Sequence, residues 1–340
     1  MPDQVVVGIP RETMPHEGRV PILPATIKKL KSVLAESKKL QFVVEKGLGA
    51  SLGISEQDWR QACADVCEKD EVYGRAYIVL KVKQPFLDEV GLYYPGQVSA
   101  CFHHMATNKE AVRALLAKGV LIAPFEYYRP SLGSMSMEAG QRVKIILSRL
   151  CGDAWKEDHI FLGGGRGIVC QHVMLDLLAA QIPIQKIHAC DRESGQFFAQ
   201  RTAITYRTFS SSDDDQLCIH LRQCRIVVLA AVGRNGAPKF LKPRHLALLP
   251  DNAVILQVSI DEGGNIDDPE FQRVTYWGEP SYQIEREGKR FTICNVPDIP
   301  GCLFPLRSST ALDGANYLYY IQLFKAFPEV PEKFLYKPSE

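Results

Sequence analysis

The stretch that most narrows what this chain can become lies near its middle: Ile160-Phe161-Leu162-Gly163-Gly164-Gly165-Arg166-Gly167-Ile168-Val169. An apolar run enters a glycine cluster, and an amphipathic segment from Cys170 to Ala180 follows. A second apolar run, Ile187-His188-Ala189-Cys190, ends on Asp191. That order predicts strand, tight turn, helix and parallel strand, the βαβ unit that binds a dinucleotide. Glycines let the backbone reach a pyrophosphate, and the amides at a helix N-terminus favour its negative charge. Asp191, at the second strand's end, is placed to accept hydrogen bonds from ribose hydroxyls. Counted as G-x-G-x-x-G from Gly163, the first two glycines are present and the third position is Ile168. Gly167 stands one residue early, so helix–strand packing there must differ in detail. The cofactor-binding candidates are therefore Gly163, Gly165, Arg166, Gly167, Ile168 and Asp191, with Arg192 beside it.

The rest of the chain repeats the alternation of strand and helix that produces a parallel, doubly wound sheet. Strands are expected at Val5–Ile9, Gln41–Glu45, Ala76–Leu80, Val98–Phe102 and Val120–Pro124. Helices are expected at Ala25–Ala35, from an N-cap at Ser55 through Cys67, and at Lys109–Lys118. Ser136–Leu150 reads as one long helix leading into the glycine unit. Beyond Asp191 come strands Ile226–Ala230, Ala253–Val258 and Phe291–Cys294. Ser210-Ser211-Ser212-Asp213-Asp214-Asp215 reads as a polar surface loop, and Tyr282–Ile293 as a hairpin turning at Gly288. A long helix from Ser309 to Phe324 is expected to return to the first domain. The expected fold is α/β with two doubly wound domains, a dinucleotide-binding Rossmann domain (136–299) inserted in a discontinuous substrate domain (1–135 and 300–340).

Composition bounds the partners. A chain of 340 residues has room for about two domains. Lys plus Arg total 40 and Asp plus Glu 39, a net charge of +1 that suggests neither a nucleic-acid nor a membrane partner. No apolar run approaches the roughly 18 residues that span a bilayer. The start, Met1-Pro2-Asp3-Gln4-Val5, leads into a strand rather than reading as a signal peptide. The ten cysteines are scattered without a metal-type C-x-x-C pair. They read as reduced thiols of a cytoplasmic protein, and no metal is expected.

In such sheets ligands bind outside the carboxyl ends of the strands. Lys81 and Lys83 follow one strand and His103 and His104 another. Asp261 follows Ala253–Val258, and Arg19 lies in the loop after the first strand. An arginine and a lysine there could clamp a carboxylate, a histidine could shuttle a proton, and a carboxylate could orient amine or water near a nicotinamide. Residue type alone leaves either lysine and either histidine open. Each also has a plain structural reading, as a surface ion pair, a backbone hydrogen bond or a turn cap.

The order of short motifs resembles the alanine dehydrogenase and transhydrogenase N-terminal family. The motifs are Gly8-Ile9-Pro10-Arg11-Glu12-Thr13, Glu17-Gly18-Arg19-Val20, Val44-Glu45-Lys46-Gly47-Leu48-Gly49, Leu80-Lys81-Val82-Lys83-Gln84-Pro85, Gly96-Gln97, Met135-Ser136, Ala237-Pro238-Lys239, Ile260-Asp261-Glu262-Gly263-Gly264 and Ile299-Pro300-Gly301. The resemblance implies that Arg19 and Lys83 bind a substrate carboxylate and that His104, Asp261 and Lys83 make up the catalytic set. It also implies that Ser136, the glycine loop and Asp191 contact NAD. Asp298 stands where the family tends to have asparagine beside the substrate, and Arg192 keeps NADP open as the cofactor. The segment before Gly163 and the tail after Phe327 look shortened, as in the relatives that form secondary amines, carboxyethylornithine synthase and saccharopine dehydrogenase. The leading expectation is a cytoplasmic, NAD-dependent amino-acid dehydrogenase with a small-molecule substrate, homo-oligomerisation being left open. The alternatives are a dehydrogenase that condenses an oxo acid with an amino acid, and a non-catalytic nucleotide-binding regulator.

Overall fold

A computed structural model describes residues 4–233 and 235–337; Met1-Pro2-Asp3, part of the start read above as no signal peptide, lie outside them. The chain divides into two compact units, residues 1–135 with 301–340 and residues 136–300. In the first unit β1 (Gln4–Ile9), β2 (Lys39–Glu45), β3 (Ala64–Cys67), β4 (Ile78–Lys83), β5 (Val98–Phe102) and β6 (Leu121–Pro124) form one sheet in the order β3-β2-β1-β4-β5-β6. Every pairing in it is parallel. The strands are apolar because both faces are covered: β4 and β5 are buried along their whole length. The helices α1 (Pro24–Leu34), α2 (Glu56–Gln61), α3 (Lys69–Arg75) and α4 (Lys109–Ala117) belong to this unit.

Two expectations are corrected here. The helix capped at Ser55 does have its capping box, Ser55 Oγ accepting from the Asp58 amide and Asp58 accepting from the Ser55 amide. It ends at Gln61, however, and Cys63 takes a left-handed turn (φ 59°) that sends Ala64–Cys67 into the sheet as edge strand β3. Likewise Ser136–Leu150 is not one helix. Instead α5 (Arg129–Gly140) carries the chain into the second unit, and α6 (Val143–Cys151) follows after a break. Just before that break, a Cβ on Gly140 would lie 2.5 Å from the carbonyl of Val169, so α5 approaches the helix Ile168–Ala179 where only glycine fits.

The second unit contains β7 (His159–Gly163), α7 (Ile168–Ala179), β8 (Ile187–Asp191), β9 (Gly195–Ala199), β10 (Ile204–Ser210), α8 (Asp214–Leu221), β11 (Cys224–Leu229), α9 (Pro243–Leu246), β12 (Ala253–Gln257), β13 (Tyr282–Arg286) and β14 (Lys289–Cys294). Its sheet runs β13-β14-β12-β11-β7-β8-β10-β9. Six central strands are parallel in doubly wound order, and β13 and β9 add antiparallel edges. Where a crossover helix would ordinarily join β8 to β10, the chain uses β9 instead, entered through Gly195 at φ 120°. The segment read as a polar loop from Ser210 to Asp215 turns only as far as Asp213, whose carboxylate caps α8 by accepting from the Gln216 amide. The chain then returns through α10 (Ile299–Leu303) to α11 (Pro305–Ala326) in the first unit. Buried Asp313 of α11 ties it down, accepting from Thr26 Oγ1 at 2.6 Å and the Leu23 amide at 3.2 Å.

The end of β14 is secured by one fully buried side chain. Asn295 Nδ2 donates to the carbonyls of Phe271 (2.8 Å) and Arg273 (3.0 Å), while Oδ1 accepts from Gln257 Nε2 (3.1 Å). Replacing it by alanine strands the Arg273 carbonyl and takes one partner each from the Phe271 carbonyl and the Gln257 amide, which keep their own bond at 2.6 Å. Asn295→Ala should lower unfolding stability by about 1–3 kcal/mol, measured by urea titration. Asn295→Asp should fall nearly as far, because a carboxylate cannot donate to the carbonyls.

Candidate active site

On the second unit the candidate residues gather at the carboxyl ends of the parallel strands. The loop between β7 and α7 is shaped by close approach. Gly164 has φ 86°, and a Cβ there would sit 2.7 Å from the backbone of Ala231; a Cβ on Gly165 would sit 3.1 Å from that of Ala189. The amides of Gly164 and Gly165 donate to the carbonyl of Cys190, and Gly167 caps α7 with an extended backbone. Ile168, the third fingerprint position, is the first residue of the helix. The Asp191 carboxylate accepts from the amides of Arg166 and Arg192, each at 2.8 Å, which fixes its plane at the strand end. A carboxylate has about four acceptor directions, so this leaves capacity for ribose hydroxyls. The cradle therefore fits a dinucleotide. Arg166 is tied outward, to Glu193 (2.7 Å), Thr208 Oγ1 (3.1 Å) and the Ser194 carbonyl (3.1 Å). Arg192 is exposed, and Ser136 is a half-buried residue of α5.

Asp261 stands in a short 3-10 turn, Ile260–Glu262, two strand-ends away from the glycine loop. Its loop is built on Asn265, a residue that sequence reasoning passed over. Asn265 Oδ1 accepts from Ser259 Oγ (2.7 Å) and the Ala231 amide, while Nδ2 donates to the carbonyls of Ala231 (2.8 Å) and Pro238 (3.0 Å). One buried amide thus joins the loops that follow β11 and β12. Lys239 donates to the Gly263 carbonyl and closes the same turn. Asp298 is 2 % exposed, immediately before α10.

On the first unit Arg19, Lys83 and His104 follow or end the neighbouring strands β1, β4 and β5. Arg19 is 4 % exposed, and Glu17 clasps its guanidinium, accepting from Nε at 2.8 Å and from Nη2; Nη1 reaches Met135 Sδ. This bidentate pair orients the fork. Lys83 is the last residue of β4 rather than a residue beyond it, because the strand runs from Ile78 instead of Ala76. The two lysines separate clearly: Lys81 is committed to Glu89, with both carboxylate oxygens within 2.9 Å. The two histidines separate as well. His103 is fully buried and bonds the Ser99 carbonyl, and burial pushes its pKa down to about 4. His104 holds a left-handed backbone (φ 47°), uncommon for a residue with a Cβ, and its amide donates to the Glu126 carboxylate. Burial raises Glu126, while the nearby imidazole of His104 works the other way. Gln84 Oε1, His103 Nδ1, Asn108 Nδ2 and Glu126 Oε2 are buried without a hydrogen-bond partner among the described residues. All four lie in the segments that follow β4, β5 and β6.

Comparison with known proteins agrees with this distribution. Residues 8–138 match the family Alanine dehydrogenase/PNT, N-terminal domain, and residues 163–330 match Alanine dehydrogenase/PNT, C-terminal domain. The chain belongs to the alanine dehydrogenase/PNT family. By family it is an NAD-linked oxidoreductase, and its C-terminal family domain is the dinucleotide-binding one. The alanine dehydrogenase of Mycolicibacterium smegmatis is 25% identical over 94% of this chain and 87% of that protein. That of Bacillus subtilis is 24% identical over 94% and 85%. Among solved structures, an L-alanine dehydrogenase superposes with TM-score 0.71 at 21% identity, covering 94% of this chain and 90% of its own. A transhydrogenase from Sinorhizobium meliloti gives TM-score 0.71 at 20% identity, with 94% of each chain covered. These two show the shared fold.

Glu126, Glu17 and Asn265, which bond candidate residues or their loops in this alanine dehydrogenase/PNT chain, were missed by sequence reasoning. Glu126 had a readable signal, since it follows strand β6 at the edge already holding Lys83 and His104. Asn265 had none, because its role lies in joining loops remote in sequence. The buried imidazole of His103 also has a measurable consequence. Its pKa falls from an ordinary 6.5 to about 4, so the native state takes up its proton later than the unfolded chain does. Stability present above pH 6.5 is therefore lost as pH falls toward 4, by about 3 kcal/mol from this group. His103→Asn should flatten that acid slope, read as urea midpoints between pH 7 and pH 4.5.

Proposed function

We propose that the protein is an NAD-dependent amino-acid dehydrogenase of alanine-dehydrogenase type, exchanging a hydride between the α-carbon of an amino acid and nicotinamide. The observation that supports this reading is that Lys83 and His104 stand at the ends of neighbouring strands β4 and β5, with Arg19 in the loop after the adjacent β1 and its guanidinium held by Glu17. Arg19 and Lys83 supply two positive charges for the carboxylate of an oxo acid, the arginine through a planar fork and the lysine as a point charge. His104 is the general acid–base that moves the proton as imine and carbonyl interconvert. Asp261, in the turn after β12, orients the ammonia or water. NAD, when bound, supplies the hydride acceptor, and the residues that would hold it are Ser136, the glycine loop from Gly163 to Ile168, and Asp191 with Arg192. Residues 1–135 and 300–340 form the substrate domain and residues 136–299 the NAD domain.

Asp191 favours NADH over NADPH, since a carboxylate that bonds free ribose hydroxyls repels a phosphate in the same place. Exposed Arg192 beside it softens that preference. No helix among the described residues is long and apolar enough to cross a membrane. We place the protein in the cytoplasm, since ten scattered cysteines suit a reducing compartment.

A second reading has one observation in its favour. Asp298 is a buried acid beside α10, and a carboxylate at a substrate site would select a second ammonium, as in ornithine or lysine. The enzyme would then condense an oxo acid with a diamino acid. Oxidation of NADH with pyruvate or oxoglutarate, comparing ammonia, ornithine and lysine, separates the two. Fastest turnover with ammonia is expected; a diamino acid winning, with the preference lost in Asp298→Asn, would establish the second reading. His104→Ala should lower turnover about a hundredfold or more while leaving NADH binding unchanged. Normal turnover in that variant together with an inactive His103→Ala would reverse the histidine assignment.

A further inference from the structure

The end of β4 departs from regular strand geometry where Lys83 is presented. Against β5, Leu80 faces Ala100 while Lys83 faces Phe102, so β4 fits one more residue into the interval than its neighbour. On the other side β1 pairs with β4 only at Val7–Ile78 and Gly8–Val79. In a regular strand, successive amides point to opposite sides. Here the amides of Val82 and Lys83, consecutive in sequence, both donate to one side chain: Val82 to Glu12 Oε1 at 2.6 Å and Lys83 to Glu12 Oε2 at 3.3 Å. That carboxylate comes from the loop three residues beyond β1 and is 2 % exposed.

We propose that Glu12 is a positioning residue for Lys83, its carboxylate taking the place of a strand neighbour at the bulge and fixing the backbone from which the lysine projects. The inference rests on the reading of Lys83 as a ligand of the substrate carboxylate. Bulges next to active sites commonly re-aim a side chain, and this one is held by an anion bridging two amides. The anion is itself supported. Lys81 Nζ lies 4.0 Å from Glu12 and is gripped by Glu89, which also accepts from Thr13 Oγ1, Tyr73 OH and the Phe86 amide.

The charged groups around Glu12 are Lys81 from β4, Glu17 from the loop after β1, and Glu89 from the turn after β4. Burial raises Glu12 to about 7; Lys81 opposes the rise, and the two glutamates add to it. The sign has two consequences. Stability from this group is fully present below pH 4.5 and is lost as pH rises through about 7. The grip on the two amides behaves oppositely, because protonation turns one acceptor oxygen into a hydroxyl.

The test uses steady-state kinetics of the full chain with NADH, ammonia and whichever of pyruvate or oxoglutarate turns over faster. Glu12→Gln should raise the oxo-acid KM about tenfold, change kcat less than about threefold and leave NADH affinity unaltered. KM should climb as pH falls below about 7 in the unaltered protein and stay flat in Glu12→Gln. Lys83→Ala should raise KM by itself, and adding Glu12→Gln should then do nothing further. An unchanged KM in Lys83→Ala sinks the reading of Lys83. A raised KM there with an unchanged one in Glu12→Gln, or full multiplication of the two effects in the double variant, overturns the role of Glu12. If Glu12→Gln fails to bind NADH and so has not folded, Glu12→Asp decides by the same criteria, since it keeps the charge and loses the reach.

Discussion

A lysine ammonium 1 % exposed inside a parallel sheet is the constraint around which the first unit is arranged. An unpaired charge in such a place costs several kcal/mol, and Lys81 meets that cost with Glu89 at 2.7 Å and Glu12 further off. Burial alone would lower its pKa, yet the two carboxylates outweigh burial and hold it above the usual range. Glu89 then has lone pairs to fill, and it fills them with a hydroxyl from the loop after β1, a phenol from α3 and an amide beyond β4. The pair thereby sets the loops that follow β1 and β4. Its value lies less in net stability than in leaving those loops one arrangement.

The second unit solves the corresponding problem without charge. Its loops are set by the absence of side chains at Gly164 and Gly165 and by the amide groups of Asn265 and Asn295, each saturated with hydrogen bonds. A polyanionic cofactor is served better by neutral dipoles than by fixed carboxylates.

The sequence disclosed the fold where period and punctuation agreed. The run from Ile160 to Asp191 carries strand, glycine turn, helix and acid in an order that few structures accept, and it folds so. Lys69–Arg75 was overlooked as a helix because seven residues show barely two turns of periodicity. Cys63 misled because nothing local announces a left-handed cysteine. The connection through β9 was invisible for another reason: Gln196-Phe197-Phe198-Ala199 is compatible with either state until Gly195 takes a φ of 120°. At the candidate site, position relative to strand ends was enough to raise Arg19, the lysine pair Lys81 and Lys83 and the histidine pair His103 and His104 as candidates. The choice between paired candidates such as Lys81 and Lys83 required knowing that Glu89, eight residues on, turns back.

The replacement of a crossover helix by β9 bears on how the second unit comes apart. A helix laid over a sheet protects the strands beneath it, whereas an outermost strand has one neighbour, here β10, and half of its backbone groups face away from it. Phe198, more than half exposed, adds no burial to hold it. Amide hydrogens of β9 should therefore exchange with solvent well before those of β7 and β11, and opening should proceed inward from that margin. Arg166 in the glycine loop is bound to Glu193 and Ser194 at the entry to β9, so occupation of the loop and fraying of the margin become linked events.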